Sequence, residues 1–207
     1  MRGLFITMEG PDGAGKTTQI ECLKAYLTKQ GYDVLLTREP GGTVISEAVR
    51  ELLLDPAHKE MKPATELLLY AAARAQLVGE VIGPAVEAGK AVISDRFVDS
   101  SVVYQGIARG LGVETVYAVN KPAIGEYMPD VTFLLDLPAE IGIARKKNQA
   151  ELDRMEQESI DFHKKVAEGY RTLAARDPER ILKVDATLPI DTICDMIKGR
   201  VNELLAR

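Results

Sequence analysis

Gly10-Pro11-Asp12-Gly13-Ala14-Gly15-Lys16-Thr17 spells G-x-x-x-x-G-K-[ST], entered from the apolar run Leu4 to Met8 and left through Ile20, Leu23 and Leu27 at helical spacing. A strand, a glycine loop and a helix in that order make a phosphate cradle. Glycines let successive backbone N–H groups turn inward on a phosphate at a helix N-terminus, whose partial positive charge favours an anion. The pattern predicts a nucleoside triphosphate held along Gly10 to Thr18. In it Lys16 reaches the β- and γ-phosphate oxygens, Thr17 offers its hydroxyl to Mg²⁺, and Thr18 serves the α-phosphate.

Outward from the loop, short apolar or β-rich runs recur at Leu4 to Met8, Asp33 to Thr37, Ala91 to Ser94, Val131 to Leu137 and Ile181 to Val184, with helical patterns between them. Such alternation predicts an α/β fold with a five-stranded parallel sheet covered by helices on both faces. Core stripes stand out late in the chain, at Met155, Phe162, Val166, Tyr170 and Leu173, then at Ile193, Ile197, Val201 and Leu204. The 207 residues suit one domain spanning 1–207, and no linker interrupts them.

Composition narrows the function. A formal net charge of −5 argues against a nucleic-acid partner. No run approaches membrane-spanning length, and the N-terminal apolar run is too short for a signal peptide, so a cytoplasmic protein with no membrane partner is expected. The cysteines, Cys22 and Cys194, lie far apart without metal-ligand spacing and read as small core residues of a reduced protein. His58 and His163 read as surface residues. Guanine recognition would call for N-K-x-D, and the nearest string, Asn120-Lys121-Pro122-Ala123, lacks the aspartate. Small-molecule phosphoryl transfer fits the size best.

The other motifs follow strands, where an open parallel sheet presents its ligands. Thr37-Arg38-Glu39-Pro40-Gly41-Gly42-Thr43 follows the second, and Ser94-Asp95-Arg96-Phe97 the third. Asp95 takes the Walker-B place near Mg²⁺, and Arg38 and Arg96 at adjacent strand ends suit a second anion, because a guanidinium holds phosphate oxygens bidentately. An Arg38–Glu39 ion pair is the structural alternative, and Ser100 and Ser101 alternatively cap a helix after Asp99.

With these pieces, together with Leu68-Leu69-Tyr70-Ala71-Ala72-Ala73-Arg74-Ala75-Gln76, Ser100-Ser101-Val102-Val103-Tyr104-Gln105-Gly106 and Leu152-Asp153-Arg154, the chain resembles the bacterial thymidylate kinase (dTMP kinase) family over nearly its whole length. The resemblance implies a P-loop nucleoside-monophosphate kinase fold, a homodimer, and conversion of ATP and dTMP to ADP and dTDP with Mg²⁺. It implies a dTMP site of Asp12 at the sugar 3′-hydroxyl, Arg38 and Arg96 at the phosphate, and Tyr70 stacked on the base where relatives usually have phenylalanine. Arg74 would bond thymine O4, Ser101 and Gln105 would face the pyrimidine, and Tyr104 would pack where a 2′-hydroxyl would sit. The acceptor-binding segments run from about 38 to 105.

A lid near 145–154, ahead of a helix expected to start near Asp153, would supply mobile cations to the transferred group. Gly13 brings no charge to the P-loop, so Arg145 is the first candidate, also as an ATP contact. Lys147 is the second, with Arg154 orienting the lid or contacting phosphates. Catalytic roles thus fall on Lys16, Arg38, Arg96, Arg145 and Lys147. A dianionic acceptor phosphate needs no base, so alignment and charge neutralisation dominate. The competing readings are a kinase for another pyrimidine monophosphate or a deoxynucleoside, and a non-catalytic ATP-binding switch.

Overall fold

The computed structural model describes residues 2–146 and 152–206. Five strands, β1 (Phe5–Glu9), β2 (Val34–Arg38), β3 (Ala91–Asp95), β4 (Val131–Asp136) and β5 (Ile181–Asp185), form one parallel sheet in the order β2-β3-β1-β4-β5. The expected strands are found, their ends displaced by a residue or so. β1, β3 and β4 are buried almost throughout and largely apolar, because helices cover both faces. Thr7 and Thr132 break that apolarity and satisfy each other across the β1–β4 pair, with hydroxyls 2.7 Å apart.

On one face, Ile20, Leu23 and Leu27 of α1 (Lys16–Lys29) and Ile193, Ile197 and Val201 of α9 (Ile190–Leu205) pack on Ile6, Met8, Ile93 and Phe133. The other face is covered by α3 (Pro63–Leu77), α6 (Val113–Ile124) and α8 (Ile160–Arg176), with π-helical stretches at Val78–Ile82 and Val102–Ala108. Between these lie α2 (Val44–Leu54), α4 (Gly83–Glu87), α5 (Val98–Ser101) and α7 (Ala139–Lys146).

Three expectations need correction. Cys22 and Cys194 are joined by a disulfide across a Cα–Cα distance of 6.4 Å. They belong to neighbouring helices, α1 and α9, which a separation of 172 residues conceals in the sequence. The helix expected near Asp153 begins at Ile160, where the Ser159 hydroxyl accepts the Phe162 N–H. Asp153 instead accepts the N–H groups of Met155 and Glu156, closing a turn that competes with helix. His163 is buried, at 7 % exposure, in a small apolar recess with Pro11, Ala139 and Ile143, because α7 covers that side of α8.

Candidate active site

The C-terminal ends of β1, β2 and β3 open onto a cavity of about 520 Å³. The loop after β1 turns through Gly10, Gly13 and Gly15, with φ of 136°, 77° and 91°. Gly10 has a further reason to lack a side chain, since a Cβ there would lie 2.5 Å from the Leu135 carbonyl oxygen. α1 then starts with no side-chain cap and no acidic residue in its first turn, so its N-terminal N–H groups and positive dipole end are left to an anion. Lys16 Nζ donates to the carbonyls of Gly10 and Pro11 at 3.1 Å each. Burial, with Arg96 adding repulsion, lowers its pKa to about 8. Thr17 and Thr18 are exposed and line the same cavity.

Arg96, directly after β3, has φ of 70°, a conformation costly for a side chain of its size and held only where surroundings over-determine it. Its backbone N–H donates to the Met8 carbonyl at 3.0 Å. Its guanidinium donates to Asp12 at 2.8 Å and to Gly10 O, Ser100 Oγ and Tyr170 OH at 3.1–3.2 Å, and stacks over the Tyr104 ring at 5.4 Å. Beneath it the fully buried Glu9 accepts from Phe97 N, Ser100 and Tyr170 OH, while burial and the charge of Asp99 push its pKa up. Ser100 and Ser101 are therefore not caps: they lie inside α5, which starts at Val98, and their hydroxyls turn to Glu9 and Arg74.

Arg38 does not pair with Glu39. It donates to both carboxylate oxygens of Glu47 at 2.9 Å and remains half exposed at the cavity edge. Glu39 pairs with Arg74, accepting from its Nε at 2.9 Å and from Nη2. Arg74 is 1 % exposed, lies over the Phe97 ring, and also donates to Asn120 and Ser101. Burial raises the Glu39 pKa to about 7, against the opposing pull of Arg74. Tyr70, Ser101, Tyr104 and Gln105 line this end of the cavity. Tyr104 and Gln105 come from the π-helical stretch Val102–Ala108, a widened turn of the kind often found at functional sites.

Asp95 Oδ1 is buried without a hydrogen-bond partner among the described residues, in the cavity that Thr17 also lines. A buried carboxylate oxygen without a protein partner beside a phosphate loop fits an aquated Mg²⁺, which takes few protein ligands and keeps its waters. α7 lies on the P-loop: Arg145 Nη1 donates to the Gly13 carbonyl at 2.9 Å, and a Cβ on Gly13 would meet Gly142 O at 2.6 Å. Lys147 falls outside the described residues.

The structure thus brings Asp12, Gly13, Gly15, Lys16, Thr17, Thr18, Arg38, Tyr70, Arg74, Asp95, Arg96, Ser101, Tyr104, Gln105 and Arg145 around one cavity, whereas Gly10 and Pro11 do not line it and Ala14 packs in the core. The sequence did not reveal Glu39, Glu47 and Glu66, the carboxylates that hold Arg74, Arg38 and Arg154, nor Glu9, which holds Ser100 and Tyr170 beside Arg96, and Tyr170 read as core alone. A glutamate ending an apolar strand, as Glu9 does, was the available signal.

The family model described as thymidylate kinase matches residues 8–197. A thymidylate kinase of Geobacillus sp. (strain WCH70) is 49 % identical over 210 residues, covering 97 % of this chain and all of that protein. One from Thermoanaerobacter sp. (strain X514) is 55 % identical over 185 residues, 89 % of this chain and 90 % of its own. The crystal structure of thymidylate kinase from Ehrlichia chaffeensis superposes with a TM-score of 0.78 at 32 % identity, covering 98 % of this chain and 99 % of that one.

Proposed function

The chain belongs to the thymidylate kinase family, and from that premise we propose how its residues transfer the γ-phosphoryl group of ATP to dTMP, giving ADP and dTDP. The observation that carries the reading is one cavity with a cationic phosphate loop at one end and a buried, carboxylate-locked arginine at the other. Lys16 and the open N–H groups of α1 bind the ATP phosphates. Thr17 and Asp95 would hold Mg²⁺, which when bound neutralises phosphate charge. The acceptor phosphate lies between Arg38 and Arg96, its sugar 3′-hydroxyl at Asp12, its sugar against Tyr104, and its base between Tyr70 and Arg74 with Ser101 and Gln105.

No proton must be removed. An acceptor phosphate has a second pKa near about 6 and is mostly dianionic at neutral pH, so the barrier is repulsion between anions. Arg96 is fixed by contacts with Gly10 and Ser100 and meets the dianion without rearrangement, which is what electrostatic stabilisation of a loose transition state requires. Arg145, docked on Gly13, adds a planar cation beside the transferred group, with Lys147 as second candidate.

The chain acts as a single domain and as a homodimer. Val44 and Ile45 on α2 and Leu68 on α3, exposed at 87 %, 57 % and 58 %, supply an apolar surface for a second copy. A cytoplasmic location accords with described helices none of which is long and apolar enough to cross a membrane. The test is ADP release with a panel of acceptors. dTMP should exceed CMP and UMP by a wide margin in kcat/KM, on the order of 10⁴-fold where a buried hydrogen-bonding group would go unpaired. Tyr104→Ala should narrow the margin for ribonucleotides. Equal use of dTMP and CMP would overturn the thymine reading.

A further inference from the structure

Glu66 on α3 lies outside the cavity, is 1 % exposed, and ends a chain of contacts into it. Its Oε1 accepts from Gln105 Nε2 at 2.8 Å and from Arg109 Nε at 3.2 Å. Its Oε2 accepts from Arg109 Nη2 at 3.1 Å and from Arg154 Nη1 at 2.7 Å. The two arginines are themselves fixed. Arg109 lies 4.5 Å over the Phe162 ring, and Arg154 Nε donates to the Leu53 carbonyl at 2.7 Å. Burial raises the pKa of Glu66, but the bonds from Arg109, Gln105 and Arg154 outweigh it and leave the carboxyl below its ordinary value.

An ionised carboxylate has no hydrogen to donate, so only the amide nitrogen of Gln105 can face it. Gln105 lines the cavity, and with its nitrogen engaged by Glu66 the acceptor Oε1 is the end of the amide left for a ligand. We propose that Glu66 is a positioning residue that locks the Gln105 amide with its carbonyl toward the bound base, so that the site reads a ring N–H. Thymine and uracil carry a hydrogen on N3. Cytosine carries a lone pair there and would leave two acceptors facing each other, dry and unpaired. Selection against cytosine thus originates in a carboxylate that touches no substrate, and Arg109 and Arg154 serve to prevent it from turning. The inference rests on the reading of this cavity as the dTMP site.

Its test compares kcat/KM for dUMP with that for the 5′-monophosphate of the 2′-deoxyribonucleoside of pyrimidin-2-one, whose N3 is an acceptor and which has no group at C4. Glu66→Gln can either accept from or donate to the Gln105 amide, so the amide is free to flip. The dUMP preference should narrow by about tenfold, a fraction of what a built polar site enforces, mainly through a lower KM for the pyrimidinone nucleotide. Gln105→Met should abolish the N3 preference, and in that background Glu66→Gln should change the ratio by less than about twofold. An unchanged ratio in folded Glu66→Gln, or the same loss on both nucleotides in both backgrounds, would overturn the proposal.

If Glu66→Gln does not fold, side-chain amide NMR of the wild-type protein decides. The Gln105 NH₂ signals should stay put when dTMP is added, because they face Glu66. A large shift, with the NH₂ newly donating to ligand, would refute the lock. Absence of ADP release with dTMP would count against the activity alone, since the amide titration reads orientation without turnover.

Discussion

Arg145 on α7 donates from its guanidinium to the carbonyl oxygen of Gly13, 2.9 Å away, so that this arginine is anchored on the phosphate loop. A cation held there meets charge that develops in the transition state more than in bound ATP. Arg145→Ala should therefore lower kcat much more than it raises KM for ATP. The loss should reach about 10³-fold if this arginine acts as such residues do in related phosphoryl transfer. Single-turnover rates for Arg145→Ala and Lys147→Ala rank the two cations. Unchanged chemical-step rates in both would mean that the charge comes from elsewhere.

The same contact explains two glycines. Gly142 carries no positive-φ constraint, yet a Cβ on it would press into the Asp12 carbonyl, as one on Gly13 would press into Gly142. Gly142→Ala is expected to leave the fold intact, shift α7 off the loop and slow the chemical step by up to about a hundredfold, the scale for a misplacement near 1 Å. Circular dichroism and single-turnover kinetics check it together. A mutant with wild-type rates would show that the close approach has no part in catalysis.

Lys16 sets a pH limb. Burial, with Arg96 beside it, brings its pKa down to about 8, so the free enzyme loses this cation as pH rises through that value. kcat/KM for ATP, which reports the free enzyme, should fall above pH about 8. The limb in kcat should lie higher, since bound phosphates favour the ammonium. Coincident limbs would contradict this. Lys16→Ala should abolish turnover in a folded protein.

The Cys22–Cys194 disulfide ties the helix after the P-loop to the last helix. Under non-reducing conditions intact mass should show both sulfurs oxidised. Reduction or Cys194→Ser should cost about 2–4 kcal/mol in urea unfolding, the range typical of such a bond. A wild-type transition that ignores reductant, or equals that of Cys194→Ser without it, would remove the bond from the account.

The parallel sheet and phosphate loop were legible because they depend on local facts: short apolar runs, glycines where φ is positive, and a lysine after them. The arginines were legible too, but their partners were not. Arg38 finds Glu47 nine positions on rather than its neighbour Glu39, and Glu39 reaches Arg74 across thirty-five. Such pairings depend on how helices pack, which periodicity does not encode. His163 shows the same limit, since a histidine beside two lysines reads as surface until α7 is laid over it. At Asp153 a local rule did exist, since an aspartate that bonds the N–H groups two and three residues on closes a turn and delays the helix.

In the proposed reaction, donor and acceptor phosphates share one cavity and exchange a phosphoryl group directly. Incubation of the protein with ATP radiolabelled at the γ-phosphate, Mg²⁺ and dTMP tests it. The label should appear in dTDP, at a rate that depends on dTMP and vanishes in Lys16→Ala. Label released only as inorganic phosphate, at a rate indifferent to dTMP, would contradict the account.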